Sequence, residues 1–277
     1  MDLNEKNVMI TGATSGIGRV TALDIAGRGP RLILPVRNME KGEVLKNDIQ
    51  KQTGNTQVEL MHCDLASMNS IRQFAADFIK KHDRLHLLVN NAGLWEVKRK
   101  ESADHIEMNF AVNHLAPFLL TMLLLPVIKR SAPARIVNVS STAHKYGSMR
   151  FNDLEGKKRW GSMQSYAQSK LANILFTRKL AAVLEGSDVT VNCLHPGVVS
   201  TRLFDNMPGP FQRLFSLFMI SPEKGAQTSI YLATSPEVDG VTGEYFARRR
   251  IARTSSQARD MKAADMLWDI SKEYCGL

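Results

Sequence analysis

The sequence predicts an α/β fold in which a doubly wound parallel sheet carries helices on both faces. Short apolar runs rich in β-branched residues alternate with longer helical patterns along the chain. A glycine-rich turn follows the first run and opens the first helical pattern. Strands separated by helices form parallel sheets, and right-handed crossovers restrict their order. We therefore expect one sheet of seven strands in the order 3-2-1-4-5-6-7.

The predicted strands are short apolar segments. They cover residues 8–11, 31–36, 58–63, 85–90, 134–140, 189–195 and 244–247. Pro35 departs from the pattern, because proline removes a ladder donor from a strand that we expect to be interior. Residues 143–164 and 196–222 interrupt the alternation. Both interruptions follow strand ends, on the side where such sheets bind ligands.

Length and composition indicate one domain that covers residues 1–277. The chain is 44% hydrophobic and 23% charged, as is usual for globular proteins. A chain of this length can bury roughly three quarters of its unfolded surface in one core. We also expect a helical C-terminal segment at about residues 254–275.

The net charge of +9 admits anionic partners. The densest basic runs lie at residues 98–100, 157–159 and 248–250. No aromatic residues are interleaved with them to stack on bases, so we expect no nucleic-acid binding. Short charge runs in loops are usually solvated.

Targeting signals are not evident in the sequence. No stretch approaches 18 uninterrupted apolar residues, and the first residues lack the apolar segment of a secretory signal. We expect a cytoplasmic protein without a transmembrane segment. Cys63, Cys193 and Cys275 have no metal-ligand spacing, so we expect reduced thiols and no metal site.

The glycine-rich turn predicts a dinucleotide site. Glycines let the backbone approach a pyrophosphate, and a helix N-terminus supplies amide donors. The spacing is G-x-x-x-G-x-G, and tight packing of strand on helix is the alternative reading of the turn. The candidate binding residues in the turn are Gly12, Thr14, Ser15, Gly16, Ile17 and Gly18.

Two further segments concern the adenosine half of a dinucleotide. About 20 residues past the glycines an acidic side chain would bind the ribose of NAD, but this chain has Arg37 there. A guanidinium suits a 2'-phosphate, so the expected cofactor is NADP(H). Asp64, with Leu65 beside it, ends the third strand and is placed to accept the adenine amino group. Helix capping is the other reading of Asp64.

Tyr166 and Lys170 are four residues apart in a long helical pattern, and positions i and i+4 share one helix face. A tyrosine titrates near about pH 10, and a fixed ammonium nearby favours the phenolate. Tyr166 is therefore a candidate general acid or base, and Lys170 is the group expected to lower its pKa.

Several motifs in order resemble the short-chain dehydrogenase/reductase superfamily over essentially the whole chain. They are TGATSGIG at 11–18, NNAG at 90–93, AVNHLAPF at 111–118, IVNVSS at 136–141, YAQSK at 166–170 and HPGVVST at 195–201. VNHLAPFLLT, SKLANILFT and PVRNMEKG look like the retinol dehydrogenase-like branch. The resemblance implies a Rossmann fold and an oxidoreductase that moves a hydride between NADP(H) and an aldehyde, ketone or alcohol.

The resemblance implies a role for each matching residue. Tyr166 exchanges the proton, Ser141 orients the substrate oxygen in preference to Ser140, Lys170 binds the nicotinamide ribose, and Asn113 holds a water that connects Lys170 to solvent. The remaining cofactor positions are Asn91, Ala92 and Gly93 after the fourth strand and Pro196, Gly197, Val199 and Thr201 after the sixth.

The resemblance also places a mobile substrate lid at about residues 200–222. Phe211, Leu214, Phe215 and Phe218 form a helical stripe there, which would cover a small apolar substrate, pack as an ordinary helix or contact a membrane surface peripherally. An insert at residues 149–160 separates Ser141 from Tyr166 and leaves open whether the protein is a monomer or a homodimer. The alternative function is a redox sensor that binds NADP(H) without turnover.

Overall fold

The computed structural model describes residues 1–197 and 220–277. Their central feature is one sheet with the strand order β3-β2-β1-β4-β5-β6-β7-β8. The strands are β1 (Asn7–Ile10), β2 (Arg31–Val36), β3 (Val58–His62), β4 (Leu87–Asn90), β5 (Ala134–Val139), β6 (Val189–His195), β7 (Tyr245–Ala247) and β8 (Arg250–Ile251). The first seven pair in parallel, which confirms the doubly wound α/β class and the expected order.

The expected count of seven strands was wrong by one. β8 pairs antiparallel with β7 at the edge of the sheet. Arg248 and Arg249 join the two strands with φ of 51° and 61°, a left-handed turn that usually selects glycine or asparagine. Neither the turn residues nor a strand of two residues has a sequence signal, so the pattern of apolar runs could not show β8.

Helices cover both faces of the sheet. Those in the described residues are α1 (Gly16–Ala26), α2 (Met39–Thr53), α3 (Met68–Lys81), α4 (Met108–Phe110), α5 (Ala116–Arg130), α6 (Ser162–Val183), α7 (Pro222–Thr234) and α8 (Met261–Cys275). One face has a core containing Phe74, Phe118 and Phe176, and the other has a core containing Ile25 and Ile49. Side chains of parallel strands are buried on both faces, which explains why the strands are apolar runs rather than alternating patterns.

A π-helical turn, Ala111–Leu115, joins α4 to α5. The combined stretch Met108–Arg130 is the one helix among the described residues that is long and apolar enough to cross a membrane. Within its most apolar window, however, 78% of the residues are buried against the rest of the protein. Core burial thus accounts for its apolar composition.

Pro35 is accommodated inside the sheet. It lies in β2 opposite Met61 of β3, and β1 pairs only with the first half of β2, from Arg31 to Ile33. The missing N–H of Pro35 therefore falls beyond the β1 ladder. The path of the chain remains extended as far as Val36, so Arg37 leaves the sheet at the end of an interior strand.

The insert before α6 packs against the end of the chain. Gln168 on α6 holds it from both sides, accepting from Arg150 N (3.1 Å) and donating to Leu154 O (2.8 Å). Tyr274 on α8 donates its hydroxyl to Glu155 Oε1 at 3.0 Å. The insert therefore lies between α6 and the C-terminal helix α8.

Candidate active site

The glycine-rich turn between β1 and α1 is fastened to the loop after β4. Thr11 Oγ1 accepts from the backbone N of Asn91 and of Ala92, both at 3.0 Å. Asn91 Nδ2 donates in return to Thr11 O at 2.9 Å and to Gly12 O at 3.2 Å. Two segments far apart in sequence are thereby joined at the carboxyl edge of the sheet, where such folds bind ligands.

Two glycines in the turn make this close approach possible. A Cβ on Gly12, whose φ is +66°, would lie 2.8 Å from Ala92 Cα. A Cβ on Gly18 would lie 2.3 Å from Gly12 O and 2.4 Å from Asn91 Nδ2. All three distances are too short for any side chain, so the turn needs glycine for its packing as well as for a ligand. The two readings of the turn are compatible.

The start of α1 is open to an anion. Ser15 occupies the N-cap position without a side-chain hydrogen bond to the helix, and the first turn has no acidic residue. Thr14, Gly16 and Ile17 are half-buried around it. Backbone amides at a helix N-terminus bind phosphate groups. The described residues of this turn thus fit a pyrophosphate in both space and charge.

Arg37 is exposed immediately after β2 and forms no ion pair with a described residue. Arg19 in α1, by contrast, pairs with Asp48 at 2.8 Å. Asp64 after β3 is half-buried, and its Oδ1 accepts from Ala66 N at 3.0 Å. Ser67, rather than Asp64, caps α3. Leu65 packs against the core and lines a narrow crevice with Thr11 and Ala92.

Tyr166 lies on α6, and Ser141 lies just beyond β5. The tyrosine is only 8% exposed, and the Ser141 hydroxyl acts on its phenol to favour the phenolate. Ser141 Oγ also accepts from Ala143 N at 3.1 Å. Ser140 is buried and donates its hydroxyl to Lys170 O at 2.7 Å. The Ser140 hydroxyl is therefore used to join β5 to α6. The geometry favours Ser141, rather than Ser140, for contact with a ligand.

Lys170 is 4% exposed and donates from Nζ to Val139 O at 3.2 Å. Its ammonium lies 5.7 Å from the centroid of the Tyr166 ring. A Cβ on Gly93 would lie 3.0 Å from Lys170 Nζ and 3.2 Å from Asn113 Oδ1. Glycine at position 93 therefore leaves room for the lysine and the asparagine to approach the same space.

Asn113 lies in the π-helical turn, and its side chain forms three hydrogen bonds. Oδ1 accepts from Leu94 N at 2.8 Å, while Nδ2 donates to Leu94 O at 2.8 Å and to Ser169 Oγ at 3.0 Å. The wider turn bulges the helix and is often found at functional sites. Here it ties the asparagine both to the loop after β4 and to α6.

Burial dominates the electrostatics of the pair on α6. It raises the pKa of Tyr166 to about 12, with the Ser141 hydroxyl opposing the rise. It also lowers the pKa of Lys170 to about 8. The expected lowering of the tyrosine pKa by Lys170 is therefore not observed, because the cost of burying the phenolate exceeds the benefit of a nearby ammonium. Tyr166 is a protonated donor at neutral pH.

The residues after β6 complete this edge of the sheet only in part. Pro196 and Gly197 are half-buried there, and Gly197 has a φ of +100°. Val199 and Thr201 lie outside the described residues, as do the phenylalanine stripe and most of the expected lid. His195, which ends β6, accepts from Thr142 N at 3.2 Å and so holds the turn that carries Ser141.

One aromatic neighbour was missed by sequence reasoning. Trp95 follows the loop after β4, and its ring centroid lies 5.6 Å from that of Tyr166. Its Nε1 donates to Ser162 Oγ at 2.8 Å, which fixes the indole beside the phenol. The available signal was position alone, two residues past Gly93 in a loop that the glycine turn brings to the site.

Comparison with known proteins places this geometry in a family. The family model described as short chain dehydrogenase matches residues 6–209. Retinol dehydrogenase 11 of Mus musculus is 44% identical over 279 residues, covering 100% of this chain and 88% of the relative. Retinol dehydrogenase 14 of Homo sapiens is 42% identical over 294 residues, covering 99% and 88%.

Solved structures agree with the sequence comparison. A protein from Mycobacterium Paratuberculosis has a TM-score of 0.80 and 30% identity, covering 99% of this chain and 95% of its own. A short chain dehydrogenase from Escherichia coli, solved in complex with NADPH, has a TM-score of 0.70 and 26% identity, covering 90% and 99%. The chain therefore belongs to the short-chain dehydrogenase/reductase family of nicotinamide-dependent oxidoreductases, in its retinol dehydrogenase-like branch.

Proposed function

We propose that this chain transfers a hydride between NADP(H) and an apolar aldehyde or ketone, or the corresponding alcohol, with Tyr166 as the general acid or base. One observation carries the proposal. The Tyr166 phenol is buried, is influenced by the Ser141 hydroxyl and has the Lys170 ammonium 5.7 Å from its ring centroid, at the sheet edge that also holds the glycine turn. Such a donor beside a dinucleotide cradle is what carbonyl reduction requires.

Each side chain has a separate task. When bound, the nicotinamide ring supplies the hydride, and the protein supplies alignment and the proton. Tyr166 gives its proton to the substrate oxygen in reduction, for which a pKa of about 12 keeps it protonated at neutral pH. The Ser141 hydroxyl donates to the same oxygen and orients it. Lys170 binds the ribose hydroxyls, and Asn113 holds a water that returns a proton from solvent.

The preference for NADP(H) is supported by Arg37. Its guanidinium is exposed at the end of β2 and has no carboxylate partner among the described residues, so it is available to a 2'-phosphate. No acid stands at this turn to bind the ribose of NAD. The Escherichia coli structure with NADPH is a related fold that accepts this cofactor.

The substrate class is supported by the relatives, which are named retinol dehydrogenases, and by Trp95 beside Tyr166. An indole face gives apolar contact area next to the reacting oxygen. We therefore propose a small apolar carbonyl or alcohol, with retinol and its aldehyde as the first compounds to test. Residues 200–222 would cover it as a lid.

A panel of carbonyls and alcohols tests the proposal, with nicotinamide absorbance as the readout and NADPH or NADH as cofactor. Apolar aldehydes should be reduced with NADPH much faster than with NADH. Calorimetric binding of NADPH without turnover on any panel member would instead support the redox-sensor alternative. Equal rates with the two cofactors would contradict the assignment of Arg37.

A further inference from the structure

Two buried polar side chains beside the site have no part in the mechanism above. Asn173 lies three residues after Lys170 on α6 and is 4% exposed. His114, fully buried, follows Asn113 in the π-helical turn. A buried amide and imidazole cost free energy unless they are hydrogen-bonded, so their partners indicate what they do.

Asn173 and Lys170 share one acceptor. Val139 O, at the end of β5, accepts from Lys170 Nζ at 3.2 Å and from Asn173 Nδ2 at 3.3 Å. A carbonyl oxygen has two lone pairs and can serve both donors, but each donor weakens the hold of the other. Without the amide, the ammonium would be the one side-chain donor to this carbonyl among the described residues, and the carbonyl would hold it more firmly to the sheet.

His114, the second buried polar side chain, contacts α8. His114 Nε2 lies 2.8 Å from the hydroxyl oxygen of Ser271, a residue of α8. The remaining atoms, His114 Nδ1 and Asn173 Oδ1, are both buried and make no hydrogen bond of standard geometry with a described residue. Burial lowers the pKa of His114 to about 3, and the Asn173 side chain opposes that change. A neutral imidazole with its proton on Nδ1 suits both partners, a tautomer inferred from the network.

We infer that Asn173 is a positioning residue for Lys170, competing for Val139 O so that the ammonium remains free to reach the cofactor ribose, and that His114 orients the Asn173 amide for this contact. The inference rests on the proposed function only in taking Lys170 as a cofactor-binding group. It links the C-terminal helix, through Ser271 and His114, to the lysine of the site.

The surroundings of Lys170 make its titration a usable readout. Among the described residues, Tyr166 is the titratable group that faces it, from the same helix. The loop after β4, the end of β5 and the π-helical turn face it with Gly93, Val139 and Asn113, none of which titrates. A change in the pH dependence of NADPH binding, between pH 7 and 10, therefore reports on Lys170 and its hydrogen bonds.

Asn173→Ala tests the inference. With the competing donor removed, Val139 O stabilises the ammonium more strongly, so the pH at which NADPH binding weakens should rise by about half to one unit. Binding at pH 7 should also weaken, and turnover should fall by roughly ten- to a hundredfold because the ammonium is displaced. NADPH fluorescence titration gives the first two quantities.

Asn192→Ala is the matched control. Asn192 is 5% exposed on β6, donates to Val241 O and accepts from Glu244 N, away from Lys170. It should lower the melting temperature without moving the pH inflection. If Asn173→Ala also leaves the inflection in place, the inference is wrong and Asn173 is structural.

His114→Phe keeps the ring among Phe110, Phe118 and Phe176 but removes both nitrogens. It should shift the inflection in the same direction as Asn173→Ala. A shift in Asn173→Ala alone would overturn the role of His114. Because the readout is binding, a wild-type chain that binds NADPH but reduces no carbonyl would refute the proposed function and still leave this test decisive.

Discussion

Replacing Lys170 by methionine should make the folded chain more stable while impairing the function that we propose. Lys170 is 4% exposed, and burial lowers the pKa of its ammonium from 10.5 to about 8. When folding lowers the pKa of a lysine, the charged lysine reduces the free energy of unfolding at every pH below the folded-state pKa. Methionine has a similar length and no charge, so it removes the cost with little change in packing.

The size of the effect follows from the two pKa values. Lowering the pKa from 10.5 to about 8 corresponds to about 3 kcal/mol at pH 7. The lost hydrogen bond to Val139 O offsets about 1 kcal/mol. The net gain is about 2 kcal/mol, which would raise the melting temperature of a chain of this size by roughly 4–8 °C.

The gain should depend on pH with a defined sign. Below about pH 8 lysine is protonated in both states, and the penalty is complete. Between about 8 and 10.5 the folded state releases its proton first, so wild-type stability rises relative to the variant. By pH 9.5 the advantage of Lys170→Met should shrink to below about 1 kcal/mol. Tyr166, whose pKa is raised to about 12, loses its contribution only above about pH 10.

Urea denaturation of the two chains at pH 7 and pH 9.5, without nucleotide, measures both quantities. NADPH affinity should fall in the variant at pH 7, because the ammonium is assigned to the ribose. A variant that is less stable than wild type at pH 7, or a difference that does not change with pH, would refute the argument that Lys170 is a buried charge tolerated for function.

Two further predictions concern the cofactor site. Arg37→Asp should weaken NADPH binding by about 1.5–3 kcal/mol and leave NADH binding unchanged or stronger, because the new carboxylate can accept from the ribose hydroxyls, as measured by calorimetry; an equal loss for both would show that Arg37 does not read the 2'-phosphate. Gly18→Ala should abolish NADPH binding and cost about 1–3 kcal/mol of stability, because its Cβ would lie 2.3 Å from Gly12 O. Gly27→Ala is the control, with an ordinary φ of −64° and no contact below 3.5 Å, and should change neither.

The sequence predicted the topology well because its signals are local and repeated. Seven apolar runs, each followed by a helical pattern, determine a parallel sheet almost uniquely once right-handed crossovers are required. The predicted site residues with defined positions, from Gly12 to Tyr166, gather at the carboxyl edge for the same reason. Residues 198–219 are outside the described residues, so the roles of Val199, Thr201 and the phenylalanine stripe remain predictions.

What the sequence could not predict depends on three-dimensional surroundings. The π-helical turn that aims Asn113 differs from an α-helix by one residue of hydrogen-bond register, which apolar periodicity does not resolve. The direction of the Tyr166 pKa was wrong, because spacing shows the nearby lysine but not the depth of burial. The shared carbonyl of Val139 required β5 and α6 to be placed together.

The central claim is that Tyr166 supplies the proton, and Tyr166→Phe tests it most directly because it removes only the hydroxyl. On an apolar aldehyde that the wild-type chain reduces, turnover should fall by at least roughly 10²- to 10⁴-fold, while NADPH affinity and melting temperature stay close to wild type. Near-normal turnover in Tyr166→Phe, with the cofactor bound as before, would contradict the assignment of the active site.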